Sequence, residues 1–166
     1  MRVDIYISST IRGPYRRTGK VIYLLSTRTE KGRDVVTDAR ITELEQATET
    51  KLTLYALRDA LYRFTKPSDI MIHTECTQVT AAINRDWVKA WKENAWRNAK
   101  GKPVKEAELW QDILDAAEDL NHTLYVTCGI HEYSQWMQDS MRRVCANKDT
   151  FTVIDENLLY LVGDRY

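Results

Sequence analysis

The sequence has few cysteines and no long hydrophobic stretch. Cys76, Cys128 and Cys145 are an odd number and form no paired motif, so reduced thiols in the cytoplasm are the simplest interpretation. Cys128 and His131 have the spacing of a zinc-ligand pair, but no second pair lies near them. No apolar run approaches the ~18 residues that a membrane span needs, and no signal peptide opens the chain. We therefore expect a cytoplasmic protein with neither a membrane partner nor structural zinc.

The chain also lacks net charge, because 24 Lys and Arg residues balance 24 Asp and Glu residues. Strong indiscriminate binding to nucleic acid needs a broad positive field, so any such contact must be made by a local patch. We find no low-complexity segment and no internal repeat. With 166 residues, the chain is long enough to bury a core, and one domain is the simplest organisation.

The hydrophobic pattern changes along the chain from the period of strands to that of helices. Alternating β-rich runs predict an antiparallel meander of three strands, over residues 3–8, 20–27 and 34–41. From about Thr50 apolar residues recur at helical spacing, until Lys66-Pro67-Ser68 ends the helix. The remaining predicted elements are strands at residues 70–74 and 122–128, and helices at residues 77–84, 109–120 and 134–145.

The C-terminal part predicts a separate small unit. Residues 150–154 and 158–162 flank Asp155-Glu156-Asn157, a pattern typical of a β-hairpin. We therefore divide the chain into a main domain at residues 1–148 and a hairpin extension at residues 149–166 that packs on it. Such a hairpin either covers a sheet edge or offers one to a second copy, which would give a homodimer.

Positive charge is concentrated between residues 85 and 105, a segment with seven basic and two acidic residues and hence a net charge of +5 (7 − 2 = +5). Trp87 and Trp91 are four apart and share one helical face, and Lys100-Gly101-Lys102-Pro103 is expected to end the helix. The basic residues expected to stay in water are Lys89, Lys92, Arg97, Lys100, Lys102 and Lys105. Composition alone leaves two interpretations open: a solvated face of an amphipathic helix, or a protrusion that lies along a phosphate backbone.

A resemblance favours the second interpretation. The pattern Trp87-x3-Trp91-Lys92-x3-Trp96, followed by Lys102-Pro103-Val104-Lys105 and Leu109-Trp110, resembles the basic protrusion of bacterial-type ribonuclease HI. The similarity extends along most of the chain. It implies an α/β, ribonuclease H-like fold whose five-stranded mixed sheet, three antiparallel and then two parallel strands, is flanked by helices. The C-terminal hairpin would be an addition to that fold.

The resemblance also implies a metal site, which this sequence keeps only in part. In the family, four carboxylates hold two Mg²⁺ ions for cleavage of the RNA strand of a hybrid, because Mg²⁺ requires oxygen ligands and negative charge. The matching positions here are Ser8, Thr53, Glu75 and Asp139, so only the last two can contribute a metal-binding charge. Glu49 lies one turn before Thr53 and is the one substitute within reach, although an acid at a helix N-terminus is also favoured by the helix dipole.

Two further family positions are altered. Counting back from Asp139 puts Gly129 where the family has a flexible histidine, and His131 lies two residues later in a loop of different sequence. Thr48 matches a phosphate-binding threonine, but Glu49 replaces the neighbouring asparagine and would repel a phosphate. His73 is interpreted as a partly buried residue of its strand.

Three hypotheses of function follow. The leading one is a nucleic-acid-binding protein, with an RNA–DNA hybrid or double-stranded RNA as partner, that has lost hybrid cleavage and needs no cofactor. An active ribonuclease H with altered dependence on Mg²⁺ or Mn²⁺ is the first alternative. The second is a non-catalytic protein-interaction module that uses the hairpin or the tryptophan-bearing protrusion.

Overall fold

The computed structural model describes residues 2–143 and the backbone of residues 151–153. The strands are β1 (Arg2–Ser9), β2 (Arg17–Arg28), β3 (Asp34–Ala47), β4 (Asp69–Thr74), β5 (Thr123–Cys128) and β6 (Phe151–Val153). The helices are α1 (Glu49–Leu61), α2 (Thr77–Asn84), α3 (Trp87–Glu93), α4 (Ala107–Asp119) and α5 (Ser134–Arg143). No helix in this described part of the chain is long and apolar enough to cross a bilayer.

The strands form one mixed sheet in the order β5-β4-β1-β2-β3-β6. β1, β2 and β3 form the predicted antiparallel meander, and β4 and β5 add in parallel beside β1. The predicted α/β fold is therefore confirmed. β6 pairs antiparallel with β3 at the far edge, and the second arm of the predicted hairpin, residues 158–162, lies outside the described residues.

Alternation along β1 divides the core into two layers. Ile5 and Ile7 point to the layer under α1, α2 and α4, whereas Tyr6 points to the smaller layer under α5. Because side chains of a strand alternate between faces, Ser8 lies on the α5 side at the end of β1. The sheet thus carries the end of β1 to a position between α1 and α5.

The loop between β1 and β2 is anchored in the core. Ile11 is only 1% exposed and packs against Gly19 of β2, which also lies against Leu52 of α1 in the same core. The residues on either side of Ile11, Thr10 and Arg12, are exposed, so Ile11 is the residue of this stretch that points into the core, and Arg12 follows it directly on the surface. This anchor fixes where the side chain of Arg12 begins.

The helix predicted to run through the basic segment as far as Lys100 is shorter than expected, and that boundary was wrong. α3 ends at Glu93, because Ala95 and Trp96 adopt left-handed backbone angles with φ of 54° and 60°. The backbone of Trp96 then pairs with that of Val104, whose N–H donates to the Trp96 carbonyl at 2.9 Å. Packing of the partly buried Trp96 against the core accounts for the early turn.

Candidate nucleic-acid site at the ends of strands β1 and β4

The carboxyl ends of the parallel neighbours β1 and β4 meet at one edge of the sheet, where ligands of α/β folds commonly bind. Ser8 and Ser9 end β1, and Glu75 follows β4 directly. The first turns of α1 lie beside them, since Thr50 Oγ1 is 3.8 Å from the sulfur of Cys76. The fold therefore brings three of the predicted positions, Ser8, Thr53 and Glu75, to one region.

Ser8 is held by a neutral amide. Its buried hydroxyl accepts a hydrogen bond of 2.8 Å from Gln138 Nε2, which also donates to the Ser9 carbonyl at 2.9 Å. The α5 side chain that reaches the end of β1 is thus Gln138, the residue before the predicted Asp139. Sequence reasoning missed Gln138 because a shift of one residue along the last helix carries no sequence signal.

Asp139 makes its contacts on its own helix. Oδ1 accepts a hydrogen bond of 3.2 Å from Gln135 and forms an ion pair with Arg142 one turn later. These pairings are typical of a partly exposed helix surface. The metal-binding role of Asp139 stays a prediction, and its negative charge is already paired.

Thr53 is buried, and its hydroxyl donates to the backbone carbonyl of Glu49 at 2.8 Å. A threonine in a helix commonly satisfies its hydroxyl in this way. The Thr53 hydroxyl therefore supplies no negative charge where the family has a metal-binding carboxylate. Thr48 acts as the N-cap of α1, where its Oγ1 accepts from the Lys51 N–H at 3.2 Å.

A guanidinium lies between the acids of the site. Arg12 Nη1 donates to the carbonyl and the hydroxyl of Ser9 at 3.0 and 3.2 Å, and it lies 3.7 Å from Glu49 Oε2. Its other terminal nitrogen, Nη2, forms a hydrogen-bonded ion pair with Glu75. Glu49 is fixed further by the Gly13 N–H, which donates to Oε1 at 3.3 Å. Sequence reasoning missed Arg12, because a single arginine in a loop matches no motif.

His131 lies against the end of β1 with both ring nitrogens engaged. Nε2 donates to the Ile7 carbonyl at 3.1 Å, and Nδ1 accepts from the Tyr133 N–H at 3.3 Å. Burial lowers the pKa of His131, which favours this neutral form. The ring is therefore held in one tautomer, an arrangement unlike that of a mobile proton carrier.

His73 belongs to an aromatic cluster that also contains Tyr6 and His131, whose ring centre lies 6.3 Å from that of His73. It hydrogen-bonds Asp4 Oδ1 at 2.9 Å and stacks on Tyr6 with ring centres 4.3 Å apart. The Tyr6 hydroxyl in turn donates to Glu132 at 2.6 Å, and burial raises the pKa of Tyr6. The prediction that His73 is a partly buried strand residue is confirmed.

The basic protrusion, residues 85–105, contains basic side chains that bond to other protein groups and basic side chains that form no ion pair with the described residues. Lys92 pairs with Glu118 at 3.2 Å, Lys89 lies 4.0 Å from Asp86, and Arg97 donates to the Gly101 carbonyl at 3.0 Å. The exposed basic residues of the protrusion that form no ion pair within residues 2–143 are Arg85, Arg97, Lys100, Lys102 and Lys105. Of these, Arg85 lies over the Trp87 ring, and the three lysines make no such side-chain contact within that same range. A row of tryptophans, Trp87, Trp91 and Trp110, with ring centres 6.3 and 6.0 Å apart, supports α3 on α4.

The β1–β2 loop supplies a second basic surface that sequence reasoning did not identify. Tyr15 is 81% exposed, and Arg16 and Arg17 beside it are exposed and take part in no ion pair with the described residues. Arginine next to an exposed aromatic ring is a combination that suits phosphates and stacked bases. The signal available in the sequence was the run Tyr15-Arg16-Arg17 itself.

The side chains at this site do not fit the two Mg²⁺ ions that the resemblance implies. Glu49 and Glu75 share a guanidinium, Asp139 is paired with Arg142, and Ser8 is bonded to an amide. The described residues contain no group of three or more His, Cys, Asp or Glu side chains that could hold a metal ion. Mg²⁺ needs unpaired oxygen ligands in near-octahedral geometry, which this arrangement does not present.

The family that this geometry suggests is supported by sequence comparison. The RNase H family profile matches residues 8–128, most of the chain. The chain belongs to the RNase H family. A Ribonuclease H of Janthinobacterium sp. (strain Marseille) is 31% identical over 120 residues, which cover 70% of this chain and 75% of that protein. A Ribonuclease H of Paracoccus denitrificans (strain Pd 1222) is 41% identical over 73 residues, which cover 44% of this chain and only 46% of that protein.

Solved structures with little sequence identity share the RNase H fold. LC9-RNase H1, described as a type 1 RNase H with the type 2 active-site motif, superposes with a TM-score of 0.71 at 15% identity. The match covers 97% of this chain and 80% of that one. A foamy viral protease–reverse transcriptase, solved in complex with an RNA/DNA hybrid, gives a TM-score of 0.60 at 17% identity. It covers 86% of this chain and 20% of that one, and both likenesses concern the fold alone.

Proposed function

We propose that this RNase H-like protein binds a nucleic-acid duplex and has lost, or nearly lost, the cleavage of RNA–DNA hybrids. The observation that carries the proposal is that three acids are each paired with an arginine: Glu49 and Glu75 at the site with Arg12, and Asp139 on α5 with Arg142. Metal-assisted cleavage needs carboxylates free to bind the ions that activate water and stabilise the leaving oxygen. Here that negative charge is compensated within the protein.

The surfaces that would contact a duplex are retained. The protrusion offers Lys100, Lys102 and Lys105 without ion pairs among the described residues, and these can release counterions from a phosphate backbone. The exposed Arg16 and Arg17 add positive charge close to the site. Fold neighbours solved with an RNA/DNA hybrid and with double-stranded DNA support a duplex as the class of partner.

This function requires no cofactor, and Mg²⁺ or Mn²⁺ would enter only with residual cleavage. We place the protein in the cytoplasm because its odd number of cysteines forms no paired motif and its described thiols, Cys76 and Cys128, are free. A homodimer through the C-terminal hairpin is also part of the proposal. It is tested separately, by measuring the mass of a truncated chain.

The binding experiment measures fluorescence anisotropy of labelled RNA–DNA hybrid, double-stranded RNA and double-stranded DNA over a range of salt concentrations. Replacing Lys100, Lys102 and Lys105 by Gln should weaken binding to every duplex alike. For B-DNA, it should flatten the slope of log K against log salt by roughly 0.9 for each phosphate that the variant no longer neutralises. The matched control replaces three exposed cations elsewhere, Lys31, Arg33 and Lys66, by Gln and should leave the slope unchanged.

Cleavage is measured on the same labelled hybrid with Mg²⁺ and with Mn²⁺. We expect none in Mg²⁺. Product formed in Mn²⁺ would support the alternative of an RNase H with altered metal dependence. Failure of the wild-type protein to bind any duplex at low salt would refute the proposed function and favour the protein-interaction module.

A further inference from the structure

Arg12 is positioned by the fold and is more than a surface charge that happens to find an acid. Ile11 is buried against Gly19, so the residue after it leaves the core at a defined point. Nη1 then bonds both the carbonyl and the hydroxyl of Ser9, which fixes the plane of the guanidinium. Four oxygens from β1, α1 and the end of β4 surround this one group.

The two acids around Arg12 need a cation. Glu49 and Glu75 belong to different elements but both approach the same guanidinium, and their side chains are only 17% and 23% exposed. Without a positive charge between them, two carboxylates in this setting would repel each other and any approaching phosphate. A guanidinium keeps its charge at every physiological pH and carries a fork of donors suited to carboxylates and phosphates.

The Arg12 side chain still faces outward. It is 49% exposed, and the loop residues that follow, Pro14, Tyr15, Arg16 and Arg17, are exposed as well. An incoming phosphate can therefore approach the guanidinium from solvent while the guanidinium stays paired with the two carboxylates. The same position in a metal-dependent nuclease would be filled by a cation that lies between carboxylates and a phosphate.

We propose that Arg12 is a fixed internal cation that replaces divalent metal ions at this site, so that the phosphate backbone of a duplex is bound independently of divalent cations. This inference rests on the proposed function, because it concerns how the same site binds a duplex. It goes further by assigning the positive charge that contacts the phosphate to one residue, Arg12. It also predicts how metal binding and duplex binding change when Arg12 is replaced.

The first test needs no nucleic acid. Mn²⁺ uptake by the full chain is measured by isothermal calorimetry and by the electron paramagnetic resonance signal of free Mn²⁺, for wild type, Arg12→Gln and Arg12→Lys. We expect Arg12→Gln to bind Mn²⁺ at least about tenfold more tightly than wild type, because Glu49 and Glu75 lose their counter-charge. Arg12→Lys keeps the charge and should resemble wild type.

Two controls make the first test specific. Arg16→Gln removes a charge from the same loop that has no ion pair among residues 2–143, and it should leave Mn²⁺ uptake unchanged. The double variant Arg12→Gln, Glu75→Gln should lose the additional Mn²⁺ uptake of Arg12→Gln. Equal Mn²⁺ affinity of wild type and Arg12→Gln, with both folded by circular dichroism, would overturn the proposal.

The second test measures duplex binding in EDTA and in Mg²⁺ or Mn²⁺ at constant ionic strength. Wild-type affinity should be no lower in EDTA than in Mg²⁺ or Mn²⁺, because divalent cations only compete for the phosphates, whereas Arg12→Gln should bind about tenfold more weakly in EDTA and recover with Mn²⁺. A wild-type protein that needs a divalent cation to bind a duplex would overturn the role of Arg12, even if Arg12→Gln failed to fold. A wild-type protein that binds no duplex would instead refute the proposed function, and the Mn²⁺ measurement would still decide the role of Arg12.

Discussion

The contact between Gly19 and Ile11 leads to a quantitative prediction about how the β1–β2 loop is held. A methyl group added at Gly19 would lie 2.3 Å from Ile11 Cδ1 and 2.6 Å from Cγ1, well inside contact distance. Gly19 is not among the residues with positive φ, so alanine itself fits the backbone. Ile11 is buried, so a shift of its side chain disturbs the packed core around it. Gly19→Ala should therefore destabilise the protein by about 1–3 kcal/mol through overpacking.

A double-mutant cycle separates this clash from other effects of the substitution. Ile11→Ala alone should cost about 2–5 kcal/mol, because it leaves a cavity. The methyl group added by Gly19→Ala fits into the vacated space, so the double variant should cost no more than Ile11→Ala, and the coupling free energy should be about 1–3 kcal/mol. Ile11→Val removes only Cδ1, and in that background Gly19→Ala should have an intermediate cost.

The free energies of unfolding can be measured by urea denaturation followed by tryptophan fluorescence. Costs of Gly19→Ala and Ile11→Ala that add within about 0.5 kcal/mol would refute the reasoning, since residues in contact are expected to couple. Such additivity would mean that Ile11 does not pack on Gly19. The anchor that positions Arg12 would then have to lie elsewhere in the loop.

Three other predictions concern stability and accessibility. Burial raises the pKa of Asp59 to about 6 from its usual 3.8, so its contribution to stability is full below pH 3.8 and is lost as the pH rises to 6. In Asp59→Asn, the free energy of unfolding should not show this decrease between pH 3.8 and 6, which is at most about 3 kcal/mol in the wild type and less once solvent screening is included. Urea denaturation that gives the same pH profile for both proteins would contradict this. In a Cys145→Ser variant, Cys128 should react at once with a thiol reagent, because its side chain is exposed. Cys76 should react only on unfolding, because it is buried and burial raises the pKa of its thiol, and rapid reaction of both thiols would contradict this. Deleting residues 150–166 should lower the melting temperature or solubility, because β6 pairs with β3, and a changed mass in light scattering would indicate a dimer.

The sequence was sufficient for elements whose hydrophobic period is regular. The five main strands and the order of helices were predicted, but β3 extends six residues past its predicted end at Ile41. Its last part contains Glu43 and Glu45, which have low strand propensity, and pairing of β3 with β2 outweighs that preference. The short α3 was missed for a similar reason, because the packing of Trp96 ends the helix before any helix-breaking residue.

The candidate site could be predicted only where it depends on motif positions. Ser8, Thr53 and Glu75 lie in one region of the fold, their role as family metal positions stays a prediction, and it is Gln138 whose side chain reaches Ser8. Arg12 meets Glu75 across 63 positions of sequence, and that contact depends on a loop conformation that no local pattern encodes. Long-range contacts made by loop residues are the part of this site that required the structure.

The central place of β1 in the sheet has a consequence for the synthesis of the protein. β2 follows β1 closely along the chain and can pair with it at once, but the other neighbour, β4, comes much later: Ile5 pairs with Ile72, 67 positions on (72 − 5). At about 5–20 residues per second, a ribosome needs roughly 3–13 s to produce that stretch. During this interval one edge of an apolar strand lacks its partner, so the nascent chain is most open to chaperones and to misassociation before β4 emerges.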